Sequence, residues 1–167
     1  MAELTTQERL QPSLLDRLAD DAVGKTRESR EQSVISAIKL RDSVTRDISW
    51  LLNCVQLQED AVLQDYPEVQ SSVLNFGIPD LAGLVLSGVD TEALERKIRA
   101  ALIRFEPRLK ADSLQVIVRR DKNRMNAHAL VFDIDAEMWA QPVPLNLYLK
   151  TEVDLESGAF KVLEGVH

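Results

Sequence analysis

Only one cysteine, Cys54, occurs in the 167 residues. That excludes an internal disulfide and any cysteine-built metal cluster. Aromatic residues are scarce at 5%, which argues against a platform for stacking single-stranded nucleic acid. Basic residues are outnumbered: 20 Lys and Arg face 27 Asp and Glu, a net charge of −7 where a nucleic-acid binder is normally basic. Long apolar runs are missing too. The longest, over residues 81–89, is interrupted and far shorter than the roughly 20 residues that span a bilayer. Residues 1–11 lack the apolar core of a secretory signal. A reducing, cytoplasmic location without membrane insertion is the default expectation.

An apolar share of 45% and a charged share of 28% are close to the globular average, so a core can form. The length suits one domain with some extra chain at its N-terminus. Charge is unevenly spread. Residues 96–124 hold ten basic residues (Arg96, Lys97, Arg99, Arg104, Arg108, Lys110, Arg119, Arg120, Lys122 and Arg124) against Glu106, Asp112 and Asp121. This segment therefore carries +7 and the rest of the chain −14. Such a stripe suits a partner with an acidic face, and it equally suits a solvated surface.

The hydrophobic period changes once. Residues 12–105 read as helical and residues 113–167 as strands, with no βαβ alternation and no internal repeat. An α+β fold is expected, its N-terminal helices packed on one face of a four-stranded antiparallel sheet. A short amphipathic helix opens at Pro12-Ser13 with Leu14, Leu15 and Leu18. Residues 22–32 have almost no apolar anchor and read as an exposed linker, dividing the chain into an N-terminal helix and linker, 1–32, and an α+β domain, 33–167.

Val34, Ile38, Val44, Ile48, Leu51, Leu52 and Val55 keep a 3.6-residue stripe, predicting a long helix over 33–53 with Ser33 as its cap. Pro67 starts a short helix with Val69, Val73 and Leu74, and Gly77, Pro79 and Gly83 punctuate the chain after it. Asp90 caps a strong helix carrying Leu94, Ile98, Ala101, Leu102 and Phe105, which Pro107 stops. Alternation then marks Leu114, Val116 and Val118; His128, Leu130, Phe132 and Ile134; Leu145, Leu147, Leu149, Thr151 and Val153; and, past a turn at Glu156-Ser157-Gly158, Phe160 and Val162.

Catalytic and metal-binding motifs fail when tested against their chemistry. Gly24-Lys25-Thr26 resembles the end of a phosphate-binding loop, but Ala19 stands where the first glycine is required. Asp133, Asp135, Glu152 and Asp154 could crowd one strand face, where solvated carboxylates are expected and not a cation site. His128 has no evident nucleophile to activate, and Cys54 reads as a small core residue. Glu106 is the best single carboxylate for glycosidic cleavage, yet Arg104 and Arg108 favour its ionised form and a general acid needs the reverse. No catalytic residue, cofactor or metal is expected.

Several stretches in order resemble a known family. They are residues 8–18 around Pro12-Ser13-Leu14-Leu15, residues 43–53 around Arg46-Asp47-Ile48-Ser49-Trp50, the block of Tyr66-Pro67-Glu68-Val69 and 72–81, and Phe105-Glu106-Pro107-Arg108. Together they resemble TssE-type baseplate subunits of type VI secretion, within the wider family of phage contractile-tail baseplate wedge proteins often labelled lysozyme-like. The resemblance implies a structural wedge subunit seated on a helix bundle formed by two other baseplate proteins. Glu106, Pro107 and Arg108 match the Glu-Pro-Arg signature that stabilises that docking. It further implies that sheath subunits add strands to the sheet, so contractile sheath subunits are the second class of partner.

Two readings of Glu106 and Arg108 stay open: charge-assisted bonds to a partner, or an internal pair bracing the helix-to-strand corner. Competing functions are a small regulatory binding protein of anti-adaptor type and, less well supported, a peptidoglycan hydrolase.

Overall fold

In the computed structural model, residues 13–18, 37–58, 61–85, 88–119, 129–139 and 144–164 are described. Ser33 and Val34, the 22–32 linker, Gly24-Lys25-Thr26, Arg120, Lys122, Arg124, His128 and His167 lie outside them. The order is α1 (Leu14–Leu18), α2 (Ala37–Leu52), α3 (Pro67–Ser71), a 3-10 turn (Val73–Asn75) and α4 (Thr91–Phe105). Strands β1 (Gln115–Arg119), β2 (Ala129–Met138), β3 (Leu145–Asp154) and β4 (Phe160–Glu164) follow. They form one antiparallel meander in the order β1-β2-β3-β4. The α+β architecture read from the change of period is the one found.

The core lies between the two long helices and one face of this sheet. Leu40, Val44, Ile48, Leu51 and Leu52 of α2 are buried, as are Leu94, Ile98, Ala101 and Leu102 of α4. They meet the alternate strand residues Val116, Leu130, Phe132, Ile134, Leu147, Leu149, Val153 and Phe160. Successive strand side chains point to opposite faces, so these residues reach the core while their neighbours turn outward. Two members of the expected α2 stripe are off it: Ile38 is 73% exposed, and Val55 lies beyond the helix end at 61%.

Helix α4 is bounded as its sequence demands. The Asp90 carboxylate accepts from the Ala93 N–H at 3.0 Å, satisfying one of the unpaired first-turn donors. At the other end the Glu106 N–H still bonds Leu102 O at 2.9 Å before Pro107 forbids continuation. The α3 region departs from expectation. The helix stops at Ser71, whose hydroxyl turns back to the Pro67 carbonyl, and Val73 and Leu74 begin a separate turn with both side chains exposed.

Beyond α2 the chain runs beside the segment following that turn. Gln56 N–H donates to Ile78 O and Ile78 N–H to Cys54 O, both at 2.9 Å, and the buried Asn75 side chain accepts from the Gln58 N–H at 3.0 Å. Gly77 makes this approach possible. Its φ is +135°, and a Cβ there would lie 2.5 Å from Cys54 O and 2.7 Å from Gln56 N. Both a rare backbone conformation and a backbone collision oppose any side chain. Gly77→Ala is expected to lower unfolding stability by about 1–3 kcal/mol, read as a reduced urea midpoint. An unchanged midpoint would show that the 54–56 segment can move aside.

Candidate docking corner and its charge relay

The chain turns from α4 toward β1 through Glu106, Pro107 and Arg108. Three backbone bonds fix this corner: Leu109 N–H to Glu106 O at 3.1 Å, Trp139 N–H to Arg108 O at 2.7 Å and Lys110 N–H to Glu137 O at 2.8 Å. The corner is therefore stitched to the end of β2, where Leu109 bridges Met138.

Glu106 is only 4% exposed, so an unpartnered charge there would be costly. Arg108 supplies the partner in a forked arrangement. Its Nε donates to Glu106 Oε1 at 2.6 Å and its Nη2 to Oε2 at 2.5 Å, while its own backbone N–H reaches Oε1 at 3.1 Å. The same Nη2 donates to Asp47 Oδ2 on α2 at 2.6 Å, and Nη1 makes a longer 3.4 Å contact with the Ser43 hydroxyl. Burial opposes the guanidinium charge; the bonds and charge of Glu106, then those of Asp47, outweigh it and hold the Arg108 pKa above its ordinary value. Pro107 between them is exposed.

From Asp47 the charges continue outward. Its Oδ1 accepts from Arg46 Nε at 3.0 Å and Nη2 at 2.8 Å. Arg46 lies 4.9 Å over the Trp50 ring and donates from Nη1 to Asp16 of α1 at 2.5 Å. Asp16 in turn accepts from the Ser13 hydroxyl at 2.6 Å, and its own N–H donates to Ser13 Oγ at 3.2 Å. Alternating signs thus run Glu106, Arg108, Asp47, Arg46, Asp16, joining the corner to α2 and α2 to α1. Leu15 and Leu18 of α1 are 50% and 73% exposed, so α1 is tied to this surface by charge while those two leucines stay out of the core.

Glu106, Pro107 and Arg108 are brought together, with both Glu106 oxygens bonded to Arg108. Ser43, Arg46, Asp47 and Asp16 lie in stretches that carry the resemblance, but the sequence assigned none of them a role at this corner. No local spacing signals them, since each link joins segments far apart in the chain.

Several members of the basic stretch among the described residues are engaged within the fold. Arg96 pairs with Glu92, Lys110 with Glu137 and Arg119 with Asp133. Arg99 donates to the carbonyls of Leu114 and Ala111. Asp133 is corrected as well: it lies on the face opposite the core but is 7% exposed, held by Arg119 and by the Tyr148 hydroxyl at 3.0 Å. That bond, then burial, raises the Tyr148 pKa. Among the described residues no cluster of His, Cys, Asp or Glu could hold a metal ion. No described helix is long and apolar enough to cross a membrane.

Removing one partner of a buried pair strands the other charge, whereas removing both does not. Arg108→Met is expected to cost about 3 kcal/mol. Glu106→Gln combined with Arg108→Met should cost clearly less than the sum of the single changes, a coupling that urea unfolding of the double-mutant cycle measures. Asp16 offers a pH test. Its hydrogen bonds from Arg46 and then Ser13 outweigh burial and hold its carboxyl below the ordinary aspartate value. A depressed folded value stabilises above the unfolded pKa and is lost as pH falls through the folded one. An NMR carboxyl titration should therefore place Asp16 below the usual value of about 3.9; an unshifted midpoint would mean that α1 is not held there.

A family model described as baseplate wedge protein gp25 matches residues 38–143, which takes in α2, α4, the corner, β1 and β2. No curated protein matches the chain.

Proposed function

This chain belongs to the baseplate wedge protein gp25 family, the family of TssE, and from that membership we propose a structural role in a type VI secretion baseplate. The family is structural and supports a place in a contractile-tail baseplate among other baseplate components. In our reading the protein has no enzymatic activity, works in the cytoplasm, docks on a bundle of helices from neighbouring wedge subunits, and starts the contractile sheath by accepting strands at its sheet. Residues 33–167 would form the wedge domain, with residues 1–32 an appendage.

The observation that carries the docking proposal is the rigid corner. Glu106 is consumed in fixing Arg108, so it acts indirectly, setting the direction of the guanidinium. Pro107 is exposed, and Arg108 Nη1 makes only the long contact to Ser43 among the described residues. Those two groups can meet a partner, the proline by contact and the arginine by a charge-assisted bond. Exposed apolar side chains between α2 and α4 add support: Val55, Leu57, Val62, Tyr66, Val73, Leu74 and Val85 are each more than 60% exposed. Apolar surface of that extent favours a protein covered by neighbours.

Arg108→Lys keeps the charge but loses the planar fork that reads two carboxylates at once. In cells expressing the full set of baseplate genes, this variant is expected to stay folded by circular dichroism and to co-purify poorly with the other wedge subunits. Wild-type recovery of those subunits would confine the corner to an internal brace.

A further inference from the structure

We infer that the chain's two tryptophans, Trp139 and Trp50, are the apolar anchors of the docking corner, and that the occupant is a partner helix carrying a carboxylate between apolar side chains. This rests on the docking reading above and goes beyond it by naming the flanking contacts and the partner's chemistry.

The chain has only two tryptophans, far apart in sequence, and the fold brings both to the charge relay. Trp139 follows the last residue of β2 and lies across an isolated bridge from Arg108. The bridge pairs Leu109 with Met138, and the Trp139 N–H donates to Arg108 O at 2.7 Å. Residues opposite one another in such a pair send their side chains to the same side. Leu109 and Met138 are buried, which leaves the outer side to Arg108 and Trp139. Trp50 stands at the other end of the relay. It is one helical turn past Arg46 on α2, and the Arg46 guanidinium lies 4.9 Å from its ring centre. Arg46 bonds Asp47, and Asp47 bonds Arg108.

Core packing does not account for either ring. Trp139 is 55% exposed and Trp50 49%, although indole is the side chain that gains most from burial. Tryptophans set beside a buried arginine are the composition of an interface hot spot. The hydrogen bonds say what else the partner brings. Both Glu106 oxygens already accept from Arg108, and the Asp47 oxygens accept from Arg108 and Arg46. Arg108 Nε and Nη2 are engaged, whereas Nη1 makes only the 3.4 Å contact with Ser43. A guanidinium has five N–H donors, so the corner still offers donors while its carboxylates are occupied. An acceptor answers them, and a carboxylate does so most strongly. A helix sets residues three or four apart on one face. One helix can therefore bring an Asp or Glu to Arg108 and apolar side chains to both rings.

Photocrosslinking tests this in cells expressing the full set of baseplate genes, with a photoreactive phenylalanine derivative replacing Trp139 or Trp50 in the full chain. Adducts from both positions are expected in one helical stretch of one wedge subunit, on either side of an Asp or Glu. Trp139→Ala and Trp50→Ala are each expected to keep the wild-type circular dichroism and to lower recovery of the wedge subunits about tenfold or more. Ile117→Ala removes an exposed apolar group from the face of the sheet away from the core and should leave recovery unchanged. Adducts in different proteins, adducts with no carboxylate between them, or no adduct while the wedge subunits co-purify would each overturn the assignment. So would unchanged recovery in either folded tryptophan variant, or an equal loss in Ile117→Ala; if a variant misfolds, the crosslinks decide alone. Failure of the unmodified protein to recover the wedge subunits would instead refute docking itself, and the anchors with it.

Discussion

Everything near the corner depends on one guanidinium held between two carboxylates. Glu106 is buried at the point where α4 must end, and burial of a lone carboxylate there would oppose folding. Arg108 removes that penalty with three donors from a residue only two positions away, and uses the same Nη2 to hold Asp47 on α2. Pro107 contributes by forbidding further helix, so that the two side chains face one another across a turn and not along a helix surface. Helix, turn and neighbouring helix thus share one electrostatic knot. A buried pair of this kind is weak support for stability in itself, because its desolvation offsets much of its attraction. Its value lies in direction: it allows the corner one arrangement.

Much of the fold was legible because its elements follow simple periods. The change from a 3.6-residue to a two-residue repeat near residue 113 announced helices followed by strands, and Asp90 and Pro107 marked the ends of α4 to the residue. Where the reading strayed, a local pattern was overridden by surroundings. Val73 and Leu74 look like helix-stripe residues, yet Ser71 and Ser72 turn their hydroxyls onto preceding carbonyls and the helix ends. Asp133 alternates as a solvent-facing residue but is covered by Arg119 and Tyr148 reaching across from neighbouring strands.

The candidate site was legible only in part, for a similar reason. Glu106, Pro107 and Arg108 are adjacent in sequence and can be read as a unit. Their engagement with Ser43 and Asp47, and the extension through Arg46 to Asp16, arise only when distant segments meet. Charge counting left two readings of the basic stretch open, a face for an acidic partner or a solvated surface, and among its described members Arg96, Arg99, Arg108, Lys110 and Arg119 find carboxylates or carbonyls inside the chain. The net charge of a segment cannot distinguish a field offered outward from one neutralised within.

Helix α2 touches the rim of the sheet at both of its ends. Arg41 near its start donates to the Asn146 carbonyl at 2.8 Å, and Asn53 past its finish clasps Phe160. A stiff rod pinned at two points alongside a strand behaves as a splint. Tension applied along β4 would load its ladder to β3 in shear, with the bonds of Phe160–Glu164 resisting side by side and the helix keeping the rim from peeling open.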